Sequence, residues 1–406
     1  MNQEKLWTKQ FTLTLLAGFS SSLVITSLLT TMALYVINKF GIGEGLAGFT
    51  SSIMMIGSVF GRFFSGRHLD RYSRRRLAVT ASILNIAFCA LYFLPFGIGA
   101  IIVLRLVHGA INGYVGNTLS TAVIDFIPPA RRAEGIAIYA LNFTLALAVG
   151  PTLCMYIAAR WSYTALFAAN IVFAIVAVVI IAAIKFVDPV LSKEQIERVQ
   201  SRKGVDAIFD KATLPLAFMI APLSMCYAGV TAFIETYTGQ IGVAWAASAF
   251  FTIYGLFIIV SRPVTGRLLD RRGDNFVMLP IMYINAAGVL ALGLAGVVSG
   301  AAVPALIIAS AFMLAIGYGS TLSGGQAIAI KRAEPQDFGR INATYWIFSD
   351  GGMGVGALLL GMIAAGAGFS VMFFVEAAIS IGALLIYWFL HGRHNRSFVV
   401  DDNHVK

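Results

Sequence analysis

The chain has 406 residues, of which 58% are hydrophobic and only 12% charged, with 29 Lys and Arg against 19 Asp and Glu. No soluble core hides so large an apolar share, so the composition excludes a soluble protein and points to an integral membrane protein. The formal charge of +10 would suit a nucleic-acid binder by its size alone, but it sits in short breaks between apolar runs, which excludes that partner and leaves the lipid bilayer.

Helical runs long enough to cross about 30 Å of hydrocarbon, about 20 residues each, occur twelve times: near 10–38, 46–66, 76–95, 98–125, 134–159, 163–186, 213–239, 245–266, 276–298, 303–330, 339–366 and 369–391. They are continuously apolar rather than alternating, so helices and not a barrel satisfy the backbone. The first run is too long for a signal-peptide core and has no small-residue cleavage site, so it is read as a retained first span. It carries Ser22, Thr26 and Thr30 at helical spacing, followed by Tyr35. After the second span comes a charge knot, "SGRHLDRYSRRR", Ser65 to Arg76, in which Asp70 stands among five arginines. The fourth span bears a polar stripe on one face, Arg105, His108, Asn112, Gly116 and Ser120. An ionisable group inside a span costs about 2.5–3.5 kcal/mol on insertion scales, so Arg105 is a functional candidate. The fifth span contains "LALAVGPTLC", where Gly150 and Pro151 read as a helix bend.

A polar stretch from Val187 to Thr213 follows the sixth span, with Ser192 and Gln195 at capping-box spacing for a short surface helix. On the seventh span Tyr227, Thr231 and Glu235 make one wet face, and Ala33 stands near the place where the first span would repeat the acid. Two readings of Glu235 stay open: a buried carboxyl poised to exchange a proton, or an acid near the outer end that sits in water. Asp350, a turn beyond Trp346 in the eleventh span, is either a second proton or substrate-cation site or a structural acid beside a glycine-thinned helix. Glu376 in the twelfth span reads as structural or peripheral. His391 and His394 form an HxxH in the tail that reads as solvated rather than metal-binding. Cys89, Cys154 and Cys226 each fall inside a span and are expected to be packing residues. No glycine-lysine phosphate loop and no nucleophile-base set appears, so neither an ATP-driven pump, an enzyme nor a cofactor is expected.

With both termini inside, the segments 1–9, 62–76, 131–132, 185–211, 262–272, 331–340 and 393–406 lie in the cytoplasm and hold every Lys and Arg except Lys39, Arg105 and Arg160. The expected location is therefore the cell (cytoplasmic, inner) membrane, multi-pass, with both termini cytoplasmic. The charge knot also returns 200 positions on: "RFFSGRHLDR" at 62–71 lies over "RPVTGRLLDR" at 262–271, matching Arg62, Gly66, Arg67, Leu69, Asp70 and Arg71 with Arg262, Gly266, Arg267, Leu269, Asp270 and Arg271. "GNTLS" at 116–120 similarly echoes "GSTLS" at 319–323. The economical organisation is an all-α integral membrane protein with twelve transmembrane helices in two pseudo-symmetric six-helix bundles, 1–187 and 213–392, joined by a cytoplasmic linker at 188–212 and followed by a cytoplasmic tail at 393–406. Gly66 and Gly266 allow a helix end to approach a neighbour closely. Asp70 and Asp270 stand where a carboxylate can cap the positive end of another helix.

These residues resemble the Gly-x-x-x-Asp-Arg-x-Gly-Arg-Arg signature that the major facilitator superfamily carries after its second and eighth helices. Ser73 replaces a glycine in the first copy, and Asp274 and Asn275 replace basic residues in the second. The resemblance implies the major facilitator fold. It also implies that Asp70 approaches the start of the eleventh helix near Gly339 and Arg340, and that the loop arginines approach Asp125. Gly66, Asp70, Arg71, Asp125, Gly266, Asp270, Arg271 and Arg340 would then form gating latches. Arg105 with Gly109 resembles the family's fourth-helix Arg-x-x-x-Gly element, linked in proton-coupled members to proton transfer. Gly150 and Pro151 resemble part of its antiporter motif, associated with export. In that fold helices one, four, seven and ten surround the central cavity.

The resulting expectation is a monomeric secondary transporter working by alternating access, exporting small amphipathic compounds in exchange for protons in the manner of the drug:proton antiporter branch. Glu235, Asp350 and Arg105 are the proton-coupling candidates. His108, Asn112, Tyr35, Thr30, Tyr227, Thr231 and Trp346 are the substrate-binding candidates, with Met225, Phe233 and Tyr237 adding apolar surface. The alternative is a dedicated exporter or a proton-linked importer of one metabolite such as a metallophore, peptide or sugar.

Overall fold

The computed structural model describes residues 5–69, 72–188, 194, 197, 201–202, 204–207, 209–331 and 333–394. Twelve long helices dominate these residues, and no strand occurs among them. They are α1 (Lys9–Phe40), α2 (Glu44–Leu69), α3 (Arg74–Leu91), α4 (Ile98–Ala122), α5 (Arg132–Arg160), α6 (Tyr163–Ala183), α7 (Leu214–Gln240), α8 (Trp245–Arg272), α9 (Asp274–Ala295), α10 (Ala302–Lys331), α11 (Phe338–Ala367) and α12 (Phe369–Leu390). Ten are long and apolar enough to cross a membrane; α3 and α5 fall outside that set among the described residues. For α3 the reason is visible, since its 18 residues open on Arg74, Arg75 and Arg76. Val172, Ile175, Val176 and Val179 of α6 are exposed, as a lipid-facing surface requires.

The helix ends follow local chemistry. Thr8 caps α1 by accepting from the Phe11 N–H at 3.2 Å, and Ser162 caps α6 by accepting from Ala165 at 3.1 Å. Gly273, with φ 84°, turns the chain from α8 into α9, a backbone conformation that disfavours any side chain.

The chain folds as two compact units. The first comprises Met1–Pro128, Tyr139–Lys211 and Ala333–Asp350; the second comprises Pro129–Ile138, Ala212–Arg332 and Gly351–Lys406. Helices α5 and α11 are therefore each divided, their opening turns belonging to the unit otherwise built from the other sequence half.

In the first unit α1 packs on α6, α3 on α4 and α6, and α2 on α4 most extensively. Val24, Leu28, Met32 and Phe167 are central to its core. A Cβ on Gly57 or Gly61 of α2 would strike the α4 backbone at Leu106 or Ala110, and one on Gly109 or Gly113 of α4 would strike α2 at Met54 or Ser58. Four glycines thus bring two helices together backbone to backbone, the arrangement that favours helix association where lipid removes the hydrophobic drive. In the second unit α9 packs on α10, α10 on α8, and α12 on α7 and α9, around Tyr237, Phe250, Leu292 and Phe373.

Candidate functional site

Gly66, near the end of α2, is the centre of a joint in the first unit. A Cβ there would stand 2.6 Å from the Ala343 Cβ and 3.4 Å from the Gly339 carbonyl oxygen, so α2 meets the first turns of α11 without room for a side chain. Side-chain amides bind the contact. The Asn117 amide donates to Ser65 Oγ at 2.9 Å and to the Gly339 carbonyl at 3.4 Å, while Asn342 donates to Asn117 Oδ1 at 2.9 Å and Ser120 Oγ at 2.5 Å. All four polar side chains are buried.

Charges flank this joint. Arg62 donates to Asp350 at 2.6 Å, Ser58 donates to the same carboxylate at 3.2 Å, and the Arg62 guanidinium lies over the Trp346 ring at 4.9 Å. Arg74 pairs with Asp125 and donates to the Pro335 carbonyl at 2.9 Å, and Asp188 accepts from its backbone N–H at 2.7 Å. Arg340 pairs with Asp210 at 3.0 Å and Asp337 at 3.3 Å, and donates to the Asp206 carbonyl at 3.0 Å. Asp70 and Arg71 lie outside the described residues, as do the side chains of Thr30 and Pro151.

The second unit holds a corresponding joint at Gly266 of α8. A Cβ there would lie 2.8 Å from the Ala133 carbonyl oxygen and 3.0 Å from the Ala137 Cβ, so α8 meets the first turns of α5. Asp270 accepts from the backbone N–H groups of Ala133 and Glu134 at 3.0 Å each, satisfying two orphan donors at the positive end of α5. Glu134 in turn receives Arg267 at 2.5 Å and Arg131 at 2.7 and 2.9 Å. Hydrogen bonding to that carboxylate, against a smaller cost of burial, holds the Arg131 guanidinium above its ordinary pKa. Arg271 is exposed. Asp274 contacts Lys331 and His391 at 3.2 Å each, so His391, read from sequence as a solvated tail residue, is docked on α9.

The polar stripe of α4 turns into the α2, α3 and α4 packing. Arg105 is fully buried, donating to the Thr50 carbonyl and, at 2.8 Å, to the Ser51 carbonyl of α2; its Nη1 has no partner among the described residues. His108 contacts Asn85 at 2.8 Å and the Tyr92 hydroxyl at 3.1 Å, and Asn112 donates to the same Asn85 oxygen at 3.0 Å. The glycine contact explains the reach of Arg105, since it brings the α2 carbonyls within one side chain of α4.

On α1, Ser22 donates to Asn142 at 3.0 Å and Thr26 to the Ala146 carbonyl at 3.0 Å. Gly150 is where α5 presses on α1, for a Cβ there would stand 2.6 Å from Thr26 Oγ1. Tyr35 packs edge-on against Tyr163 and Phe167, each at 5.1 Å, and accepts from Lys39 at 2.7 Å. On α7, Tyr227 stacks on Tyr318 at 4.3 Å and on Tyr254 at 5.6 Å, while Thr231 bonds back to the Tyr227 carbonyl. Glu235 is exposed. The Trp346 indole nitrogen is buried with no partner among the described residues.

Sequence reading did not single out Glu134, Asn117, Asn342 or Ser58. Arg62 was visible as a member of the repeat, but its partner lies 288 residues away. Glu134 had no signal of its own, standing at the first residue of the fifth apolar run beside the charges of the preceding break.

A family model described as Major Facilitator Superfamily matches residues 14–306. The chain is 24% identical over 405 residues, 97% of each chain, to the "Multidrug resistance protein MdtG" of Dickeya zeae (strain Ech586), and 21% identical over 388 residues to the protein of that name from Klebsiella pneumoniae (strain 342), covering 92% of this chain and 91% of that one. Among solved structures it resembles the human organic anion transporter MFSD10 (TETRAN), with TM-score 0.72 at 15% identity over 95% of this chain and 100% of that one. It also resembles the proton:xylose symporter XylE, with TM-score 0.75 at 13% identity over 93% and 94%. The chain belongs to the Major Facilitator Superfamily, and is a multi-pass membrane transporter of small molecules rather than an enzyme.

Proposed function

We propose that the protein is a proton-coupled exporter of small amphipathic compounds, working by alternating access as a monomer in the cytoplasmic (inner) membrane with both termini in the cytoplasm. In this reading residues 1–187 and 213–392 are the two six-helix bundles, 188–212 the linker and 393–406 the tail. The observation that carries it is the Arg62–Asp350 pair, a 2.6 Å contact set against Trp346 between α2 and α11, two helices long and apolar enough to cross a membrane. A proton on Asp350 cancels the charge that Arg62 neutralises, leaving the guanidinium held by the Trp346 face alone. The grip of α2 on the opening turns of α11 then loosens, and Gly66 and Asn117 can part from Gly339, Asn342 and Ala343.

Glu235, exposed on α7, is the acid within reach of water, and Arg105 sets a fixed positive charge beside His108 and Asn112. In the second unit the stacked Tyr227, Tyr318 and Tyr254, with Thr231, supply flat polarisable faces that take up planar amphipaths without demanding one hydrogen-bond pattern, and in the first unit Tyr35 and Trp346 each offer such a face. The direction of transport is supported by the multidrug-resistance relatives that align along nearly the whole chain and by the close α5–α1 contact at Gly150. Proteoliposomes with an imposed proton gradient test the proposal. Several unrelated lipophilic cations or antibiotics should each discharge the gradient, and Asp350→Asn should remove most of the discharge. Discharge by a single metallophore, peptide or sugar would instead make the protein a dedicated exporter or importer.

A further inference from the structure

Glu376 lies at the middle of α12 with no exposed surface, and neither carboxyl oxygen has a hydrogen-bond partner among the described residues. Its carboxyl group occupies the space over Gly229 of α7, where a Cβ would collide with Oε1 and would stand 2.6 Å from Leu360 of α11. The titratable side chain facing it from α7 is Cys226, whose Sγ contacts the Glu376 backbone carbonyl at 3.5 Å rather than the carboxyl. From α9 comes Asn285, which donates to Ser380 one turn away at 3.2 Å; the titratable residues of that helix are Asp274, held by Lys331 and His391, and the exposed Tyr283. The neighbour from α11 is the apolar Leu360. A carboxylate with neither donor nor counter-ion in such surroundings is not tolerated, so the group is a neutral acid holding its proton.

The first sequence half shows what the same place does without an acid. Asn170 of α6 precedes Glu376 by 206 positions, the same offset that separates the first residues of α6 and α12, Tyr163 and Phe369. Asn170 is fully served, its Oδ1 accepting from Ser27 of α1 at 2.6 Å and its amide donating to the Leu166 carbonyl at 3.0 Å. Ser27 precedes Cys226 by 199 positions, close to the 200 of the charge-knot repeat. Where the first half pairs an amide with a hydroxyl, the second has an acid facing a glycine and a thiol directed elsewhere. An amide does the packing work as well as a protonated acid; what the acid adds is a removable proton.

We propose that Glu376 is a second proton-binding site of this transporter, protonated in the conformation described here and ionised when α7 withdraws from α12 and admits water over Gly229. The inference rests on the proton-coupled reading above. The full-length protein in proteoliposomes tests it with two readouts. Infrared spectra at neutral pH should show the C=O stretch of a protonated carboxylic acid in the wild type and lose it in Glu376→Gln. With a substrate from the lipophilic-cation panel, Glu376→Gln should retain exchange at equal pH on both sides but lose at least tenfold in gradient-driven transport. Cys226→Ser, which restores the donor found at Ser27, should move loss of the infrared band to lower pH, because a donor to the carboxylate favours its charged form.

A wild type without the band at neutral pH, or a Glu376→Gln protein with unchanged band and unchanged gradient-driven transport, overturns the inference. Should Glu376→Gln fail to insert, the Cys226→Ser titration decides, an unmoved band counting against the site. Failure of the export reading looks different: the wild type would move none of the panel, while the band, present or absent, still rules on the proton of Glu376.

Discussion

Among the described residues, which include Asp270 but not Asp70, the joint at Gly66 and the joint at Gly266 share a plan and differ in the side chains that hold them. In both, a helix that ends in the repeated charge motif meets the opening turns of a helix from the other sequence half, with a glycine at the point of closest approach. The first is fastened inside by neutral amides and hydroxyls, Asn117, Asn342, Ser65 and Ser120. The second is fastened by charge, with Asp270 on the α5 backbone and Glu134 receiving two arginines. The partner helices differ at this place: Glu134 opens α5, whereas Arg340, 206 positions later, opens α11 and directs its guanidinium to Asp210 and Asp337.

The sharpest way to break the comparison is steric. Gly66→Val and Gly266→Val should each cut transport in proteoliposomes at least tenfold with the protein still inserted, since neither contact has room for a side chain; one tolerant site would mean that its joint opens without consequence. Next in size is Asp350→Asn, which should leave equal-pH exchange and remove most gradient-driven transport, measured as substrate flux with and without the gradient, with no counterpart effect from changes at the Gly266 joint.

Salt separates the two fastenings. Glu134→Gln should destabilise the protein by about 1–3 kcal/mol, the cost of leaving charged donors unserved, and the loss should shrink between low and high salt because Arg267 is 58% exposed. Asn342→Ala removes buried neutral bonds and should cost about 1–3 kcal/mol irrespective of salt; thermal unfolding in detergent at two ionic strengths reads both. Smallest is Arg131→Ala, about 0–1 kcal/mol for a partly exposed pair whose carboxylate keeps Arg267, checked in the same unfolding series.

Much of this architecture was legible in the chain itself. Apolar run length accounts for the helices, and Gly66 and Gly266 stand at equivalent places in the 200-residue repeat. What periodicity does not carry is which face meets which helix. The stripe from Arg105 to Asn112 has the spacing of a cavity wall, yet it closes on α2 and α3, because Gly57, Gly61, Gly109 and Gly113 make a contact only once the two helices lie side by side. Asp350 left two readings open from sequence because its nearest charge, Arg62, is distant along the chain. Glu376 read as structural or peripheral on its helix, for a sequence says that an acid is in a span but not whether a donor faces it.

The backbone contact between α2 and α4 carries one more consequence. Helices locked without intervening side chains, and clasped by Arg105 onto the Thr50 and Ser51 carbonyls, have no slack in which to slide. A pair of spin labels on α2 and α4 is therefore an internal ruler of constant length. A third label on the first turns of α11 supplies the moving pointer, so pulsed distance measurements on this one chain carry their own calibration for every conformation it visits.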